Sequence, residues 1–306
     1  MLQKTKVVTK KKMPLETKLF ILFACTLPVI GWLVFYMYVN VDSFVLAFTD
    51  KDGVFTLENF VRFFEELRKP KAVLREAFKN TFLTFGVNLL CFIPRILVSY
   101  FIYKKVPGGK VFRILFMIPA MVFSVALNMI VLRLLGAYGF IAQGVQEMLG
   151  LDYTPELLAD ERFANTTVLL HMVWMGFPGD LIIWGGTFAR IPEEVLESAK
   201  LDGVTWWKEF TQITVPLVWP TVALQLILSF CNIFGASGSV FLLTKGEFGT
   251  MTLSAWMYLQ VYETTLGHSN AFNYMSAVGT CLTIVAVTIS LLIRRYTDKA
   301  FGDFDF

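Results

Sequence analysis

Six apolar stretches, each about as long as a helix must be to cross a bilayer, decide most of what this 306-residue chain can fold into. Crossing the hydrocarbon takes roughly 20 residues of helix. Candidates fall at about 19–39, 80–102, 112–135, 166–189, 215–236 and 273–293. One such stretch can be the buried helix of a soluble domain; six together cannot. Apolar types make up 56% of the residues and charged types only 17%, so too few polar side chains remain to coat an aqueous surface. The 30 Phe, 10 Tyr and 7 Trp suit a lipid-facing surface with aromatic girdles. The class expected is an all-α integral membrane protein with six transmembrane helices. The first apolar run follows Lys10, Lys11 and Lys12 but is too long for a signal-peptide core and has no small-x-small cleavage site, so it reads as a retained anchor.

Several spans carry residues that a plain lipid anchor does not need: Asn88, Pro94 and Arg95 in the second, Pro119 and Asn128 in the third, His171 and Asp180 in the fourth, and Asn232 in the fifth. Polar groups at such depth usually face a bundle interior or an aqueous pathway, which points to a bundle containing a pathway. Arg95 and Arg133 read as side chains that snorkel to the interface, and Asp180 as either a pathway group or a solvent-exposed residue near a helix end. Cys25, Cys91, Cys231 and Cys281 each stand alone in an apolar run, with no zinc or disulfide spacing, and read as small hydrophobes between helices.

Basic residues near the helix ends set the orientation. With the N-terminus inside, the cytoplasmic pieces (the leader, YKKVPGGKVFR, the 190–214 loop and RRYTDK) hold six, four, three and three Lys or Arg. The outer loops 136–165 and 237–272 hold only Arg162 and Lys245. Loop 40–79 is basic yet outside; its acids nearly cancel the charge, and LENFVRFFEELRK within it reads as an amphipathic helix at the interface. Both termini are therefore expected in the cytoplasm.

That orientation also puts IPEEVLESAKLDGVTWWKEFTQITVP in the cytoplasm. Pro192 suits a first helical position, and Glu193 and Glu194 favour the positive end of the helix dipole. Val195, Leu196 and Ala199 form a small apolar stripe, and Gly203 is the stop. Thr205 can cap a second helix, although Lys208 leaves the capping box incomplete. Either this is a connector between two spans, or it is a docking knob whose Ala side enters a partner's groove while Glu197 pairs there. In the second case Trp206 and Trp207 anchor the following helix to the bilayer edge or a neighbouring span.

The loop resembles that of the permease subunits of binding-protein-dependent ABC importers, in the sugar branch that includes the maltose and glycerol-3-phosphate permeases. The family signature is Glu-Ala-Ala, three residues, Gly, nine residues, Ile, one residue, Leu-Pro. Glu197, Ser198 and Ala199 take its first part, Gly203 falls at the required spacing, and Ile213, Val215 and Pro216 complete it. Ser198 stands for an Ala and Val215 for a Leu. Arg190-Ile191-Pro192 and Asp202-Gly203 are also similar to the sugar branch. The likeness covers roughly 75–295 and is weakest in the first outer loop. A further family segment, Leu-Thr-x-Gly-Gly-Pro, is incomplete here, since Glu247 and Phe248 occupy its last two places.

The resemblance implies a type-1 ABC importer permease fold and a division into 1–75 (leader, first helix and outer loop), a permease domain at 76–295 and a cytoplasmic tail at 296–306. It implies a coupling loop at 190–216 that binds a cytoplasmic ATPase through Glu197, Ser198, Ala199, Asp202, Gly203, Ile213 and Pro216. The partners implied are a second, homologous permease subunit, two ATPase subunits that bind ATP-Mg, and an extracellular sugar-binding protein, lipid-anchored or periplasmic. The site implied is the bacterial plasma membrane, with lipid and no nucleic acid as surroundings. No cofactor or metal is expected on this chain, and it is not expected to be an enzyme. It has no phosphate-binding G-x-x-x-x-G-K-[ST], only two histidines, and no Ser-His-Asp set with supporting context.

A sugar path needs amides, hydroxyls and aromatic faces, and Asn128, Trp174, Asn232, Ser237 and Tyr274 are its candidates. Each has a plainer use as well: packing or an interface belt for Trp174 and Tyr274, and an interhelical hydrogen bond for Asn128 and Asn232. Two other functions fit the same residues: an ABC permease for a non-sugar solute such as an amino acid or peptide, and a non-transporting membrane scaffold.

Overall fold

The computed structural model describes residues 14–301 except 236–237 and 267–270. Among these the regular secondary structure is all helical, apart from one isolated pairing of Thr49 with Phe55. A long first helix, α1 (Leu15–Ala47), leads to that turn. It exceeds the expected 19–39 because Asn40, Asp42 and Ser43 continue the helix, and it carries a π-helical stretch at Leu33–Tyr38. The amphipathic segment forms α2 (Glu58–Arg68). The second span is α3 (Val73–Tyr103), which at 31 residues is the longest unbroken α-helix described.

The expected third span at 112–135 is broken. It forms α4 (Gly109–Met121) and α5 (Ser124–Leu135), separated by Val122 and Phe123 in extended backbone. Pro119 lacks the N–H that would bond back along the helix, and α4 runs out two residues after it. Next come α6 (Phe140–Leu149) and the fourth span, α7 (Ala164–Phe188). The loop expected in the cytoplasm holds α8 (Glu193–Leu201) and α9 (Trp206–Leu217). Here Pro192 is the capping residue outside the helix, one place before the expected position. The fifth span is α10 (Trp219–Cys231), bent 73° from α9 and shorter than the expected 215–236. The chain ends in α11 (Gly238–Leu243), α12 (Leu253–Thr265) and the last span, α13 (Phe272–Phe301), whose helix continues into the expected tail. Five runs among the described residues are long and apolar enough to cross a membrane (α1, α3, Ser124–Leu149, α7 and Phe272–Thr297), and the bent pair α9/α10 makes a sixth.

Helix α3 packs along α7, α7 along α4, and α13 against α1, α2 and α10. Two buried clusters lie toward opposite ends of α3. At its outer end Phe63, Leu74, Leu253, Trp256, Tyr274 and Val278 pack together. Phe63 takes α2 beyond an interfacial role, into the core. At the cytoplasmic end Tyr100, Trp184, Phe188, Leu196, Phe210 and Val222 do the same. The loop between the fourth and fifth spans is thus rooted in the helical bundle. Cys91 and Cys281 are half-buried; Cys25 is exposed and does not pack between helices as expected, while Cys231, also exposed, meets Ser290 Oγ of α13 with its Sγ at 3.3 Å.

Candidate coupling loop and intramembrane cavity

The candidate coupling loop is built from local chemistry outward. Pro192 sits at φ −58° and ψ 130° ahead of α8, with Glu193 and Glu194 in the first turn and Lys200 in the last, each at the favourable end of the helix dipole. Gly203 adopts φ +70°. Its N–H reaches Lys200 O at 3.1 Å while Val204 N–H reaches Ala199 O at 3.0 Å. This paired pattern closes a helix end around a left-handed residue, which glycine adopts with least strain.

The two faces of α8 differ. Leu196 and Ala199 are buried, and Leu196 belongs to the chain's own cluster around Tyr100 and Phe210. The Ala side therefore faces inward instead of serving as the outward docking face expected. Glu193, Glu194, Glu197, Ser198, Asp202 and Gly203 are exposed, as is Leu201 at 88%. Leu201 carries no signal in the family pattern, yet it is an apolar side chain presented with acids around it. The Ser198 hydroxyl donates to Val195 O at 3.0 Å, within its own helix. Ile213 is half-buried and Pro216 exposed.

Helix α9 fastens this loop to α3. Glu209 is buried, accepts a hydrogen bond from Tyr100 Oη at 3.1 Å and pairs with Lys104 Nζ. Trp206, half-exposed, lies 5.4 Å from the Phe101 ring, and Phe210 lies 5.1 Å from Tyr100. Thr205 precedes α9 with no side-chain capping bond. Glu209 carried no signal of its own in the sequence, because its partner Tyr100 lies 109 residues away. This loop and one wall of the membrane bundle are therefore joined by an ion pair, a hydrogen bond and tilted ring contacts.

Higher on α3, between the two clusters, lies a cavity of about 200 Å³. Arg95, Asp180, Asn88, Gln225, Ser229 and Asn232 supply its polar wall, from α3, α7, α10 and the residue that follows α10. Arg95 does not snorkel: it is buried, with Nη1 3.2 Å from Asp180 Oδ2 and Nη2 2.8 Å from Asn88 Oδ1. Asp180 is likewise a paired inner group and not an exposed end. Gly176 makes room for the guanidinium, since a Cβ there would stand 3.2 Å from Arg95 Cζ.

Of the path candidates, Asn232 lines this cavity, with its amide donating to Leu228 O at 3.1 Å. Asn128 is buried on α5, donates to Ser124 O within its own helix, and leaves Oδ1 without a partner. Trp174 lines a separate, mostly apolar cavity with His171, Leu134 and Phe163. Tyr274 donates to Glu66 Oε2 at 2.6 Å beneath the Arg62 guanidinium, so it holds α2 against α13. Ser237 lies outside the described residues.

Beside the fifth span, the segment from Thr244 to Thr252 takes the place of the incomplete family motif. Lys245, Gly246, Phe248 and Gly249 all have φ between 54° and 80°. Asn80 on α3 donates to Gly249 O at 2.8 Å and Met251 O at 2.9 Å, and Thr81 Oγ1 accepts from Leu253 N–H at 2.8 Å. Backbone groups that the tight loop cannot pair internally are thus met by α3.

Residues 73–303 match the family described as binding-protein-dependent transport system inner membrane component. Among curated relatives, a maltose/maltodextrin transport system permease protein of Vibrio cholerae is 28% identical over 76% of this chain and 47% of its own. A probable ABC transporter permease protein of Bacillus subtilis is 24% identical over 87% of this chain and 86% of its own. The chain spans about half the length of the maltose relatives it matches. A solved bacterial ABC transporter involved in importing the acidic polysaccharide alginate shares the fold, with a TM-score of 0.77, 22% identity, and coverage of 92% of this chain and 96% of that one. The chain is a multi-pass membrane protein and belongs to the family of inner membrane components of binding-protein-dependent transport systems.

Proposed function

We propose that this chain is one permease subunit of an ATP-driven importer for a carbohydrate, an oligosaccharide handed over by an extracellular binding protein. Two cytoplasmic ATPase subunits bind and hydrolyse ATP-Mg, and one of them receives α8. A second, homologous permease completes the path. Such a chain does no covalent chemistry; it exchanges inward- and outward-open states whose balance the ATPase shifts.

The observation that carries this reading is the division of labour in the coupling loop. The outer face of α8 offers Glu197, Ser198, Leu201 and Asp202 to a partner. Its inner face is fixed through Leu196, Phe210 and Glu209 to α3, the helix that lines the cavity. Force applied outside the bilayer therefore reaches a polar chamber inside it. The carbohydrate assignment draws on the amides and hydroxyls of that chamber and on relatives named for maltose and lactose transport. The test is ATP-dependent uptake by the whole importer in proteoliposomes, offered radiolabelled oligosaccharides, amino acids and peptides in parallel. Accumulation of oligosaccharide alone is expected; accumulation of peptide or amino acid alone, or of nothing, contradicts the assignment.

A further inference from the structure

The polar chamber is charge-balanced, which limits what it can take. Among the described residues that line it, Arg95 and Asp180 are the only charged ones, so its formal charge is zero. Both are deep in the bundle, where an uncompensated charge is strongly disfavoured.

The pair is incompletely satisfied. Of the five guanidinium N–H groups, one reaches Asp180 at 3.2 Å and one reaches Asn88 at 2.8 Å. Nε is buried with no partner. The Arg95–Asp180 contact is single and longer than the 2.7–2.9 Å of a tight charge-assisted bond. Terminal guanidinium N–H groups and the Asp180 carboxylate therefore retain hydrogen-bonding capacity beside the chamber. Asn88 and Asn232 add amides, and Phe85 adds an aromatic ring.

We infer that Arg95 and Asp180 together select by charge: the chamber admits a neutral sugar unit, whose neighbouring hydroxyls bridge the two ions, and excludes a sugar carboxylate. A vicinal diol has a donor for the carboxylate and an acceptor for the guanidinium, so it completes both without changing the net charge. A uronate brings a second anion to a single guanidinium. Either the two carboxylates share it, leaving a net negative charge in the bundle, or Asp180 is displaced and left unpaired. This inference rests on the carbohydrate reading above and narrows it. It also separates this chain from the structural relative that imports the acidic polysaccharide alginate, whose fold it shares.

The test bypasses the binding protein, whose own preference would mask that of the permease. The purified importer complex, without binding protein, is titrated in detergent with maltotriose, xylotriose and trigalacturonate, and binding is read by saturation-transfer NMR. The wild-type complex is expected to bind the neutral trisaccharides at least about tenfold more tightly than trigalacturonate. Asp180→Asn leaves Arg95 uncompensated and is expected to bring trigalacturonate within about threefold of the neutral sugars or above them. Should that variant not assemble, the neutral double variant Arg95→Gln/Asp180→Asn keeps hydrogen-bonding groups without ions and is expected to lose the tenfold preference. Equal binding of both classes by the wild type, or an unchanged ratio in a variant that assembles, overturns charge selection while leaving the carbohydrate reading standing. Binding of neither class overturns both.

Discussion

At the scale of single residues, the informative groups are polar ones placed where the solvent cannot reach. Glu209 is buried with Tyr100 and Lys104 as its partners. Removing one member of such a set leaves another short of a partner, which costs more than the net worth of the bond. Tyr100→Phe is expected to destabilise by about 1 kcal/mol, and Glu209→Gln by about 2 kcal/mol because Lys104 is only partly solvated and loses its counter-charge. Thermal unfolding in detergent reads both. In a double-mutant cycle the two effects should fall short of additive; full additivity would mean the hydrogen bond does not form. None of this could be read along the chain. Tyr100 and Glu209 are 109 positions apart, and Arg95 and Asp180 are 85 apart. Each ion had an innocent local reading, Arg95 as a snorkelling end and Asp180 as an exposed one, until the packing of α3 on α7 brought them face to face.

At the scale of elements, local rules predicted α8 well and the broken spans poorly. Its start and stop follow from Pro192, two acids and Gly203, all within one short local segment, so the signal needs no tertiary partner. Gly203→Ala meets open space, hence its expected cost is only the left-handed strain, about 1 kcal/mol. A loss well above that would point to a packing role for the glycine. The break between α4 and α5 and the bend between α9 and α10 were harder to see, because hydropathy averages over residues and does not register where a backbone turns. The segment 244–252 depends on α3 in the same hidden way. Asn80→Ala removes two hydrogen bonds to its backbone and is expected to cost about 2 kcal/mol and to speed amide exchange there.

The outer loop offers a pH test at the same scale. Arg162 bonds both carboxylate oxygens of Asp160 and holds its pKa below the ordinary carboxylate value. A carboxylate lowered on folding contributes fully above its unfolded pKa, and that contribution fades as pH falls through the folded value. The 153–163 turn is therefore expected to keep slow amide exchange at neutral pH and lose it only below the ordinary carboxylate range. Arg162→Ala should move that loss to higher pH; an unchanged profile would contradict the pairing.

At the scale of the whole molecule, α3 is the connecting member. Its outer end packs with α2, α12 and α13, its middle lines the charge-balanced chamber, and its cytoplasmic end is gripped by α9. Fold class and the place of the loop at 190–216 between the fourth and fifth spans were legible because apolar length, basic loops and a fixed Glu–Gly–Pro spacing are one-dimensional signals. The chamber was only half legible: Asn232 was named for its type, whereas Trp174 and Tyr274, chosen on the same grounds, face other surroundings. Residue type alone does not say which side of a helix lines a path.

The central claim is that the exposed face of α8 conveys ATP-driven motion to that chamber. Its most direct measurement compares uptake with ATP hydrolysis in proteoliposomes holding the complete importer, wild type against Glu197→Lys and Leu201→Asp. These substitutions change only exposed side chains of α8, so the permease should assemble with unchanged thermal stability. Uptake is expected to fall by at least about tenfold, and stimulation of ATP hydrolysis by loaded binding protein to disappear, as expected for a charge reversal and a buried acid at an interface. Wild-type uptake together with wild-type stimulation in both variants would contradict the claim.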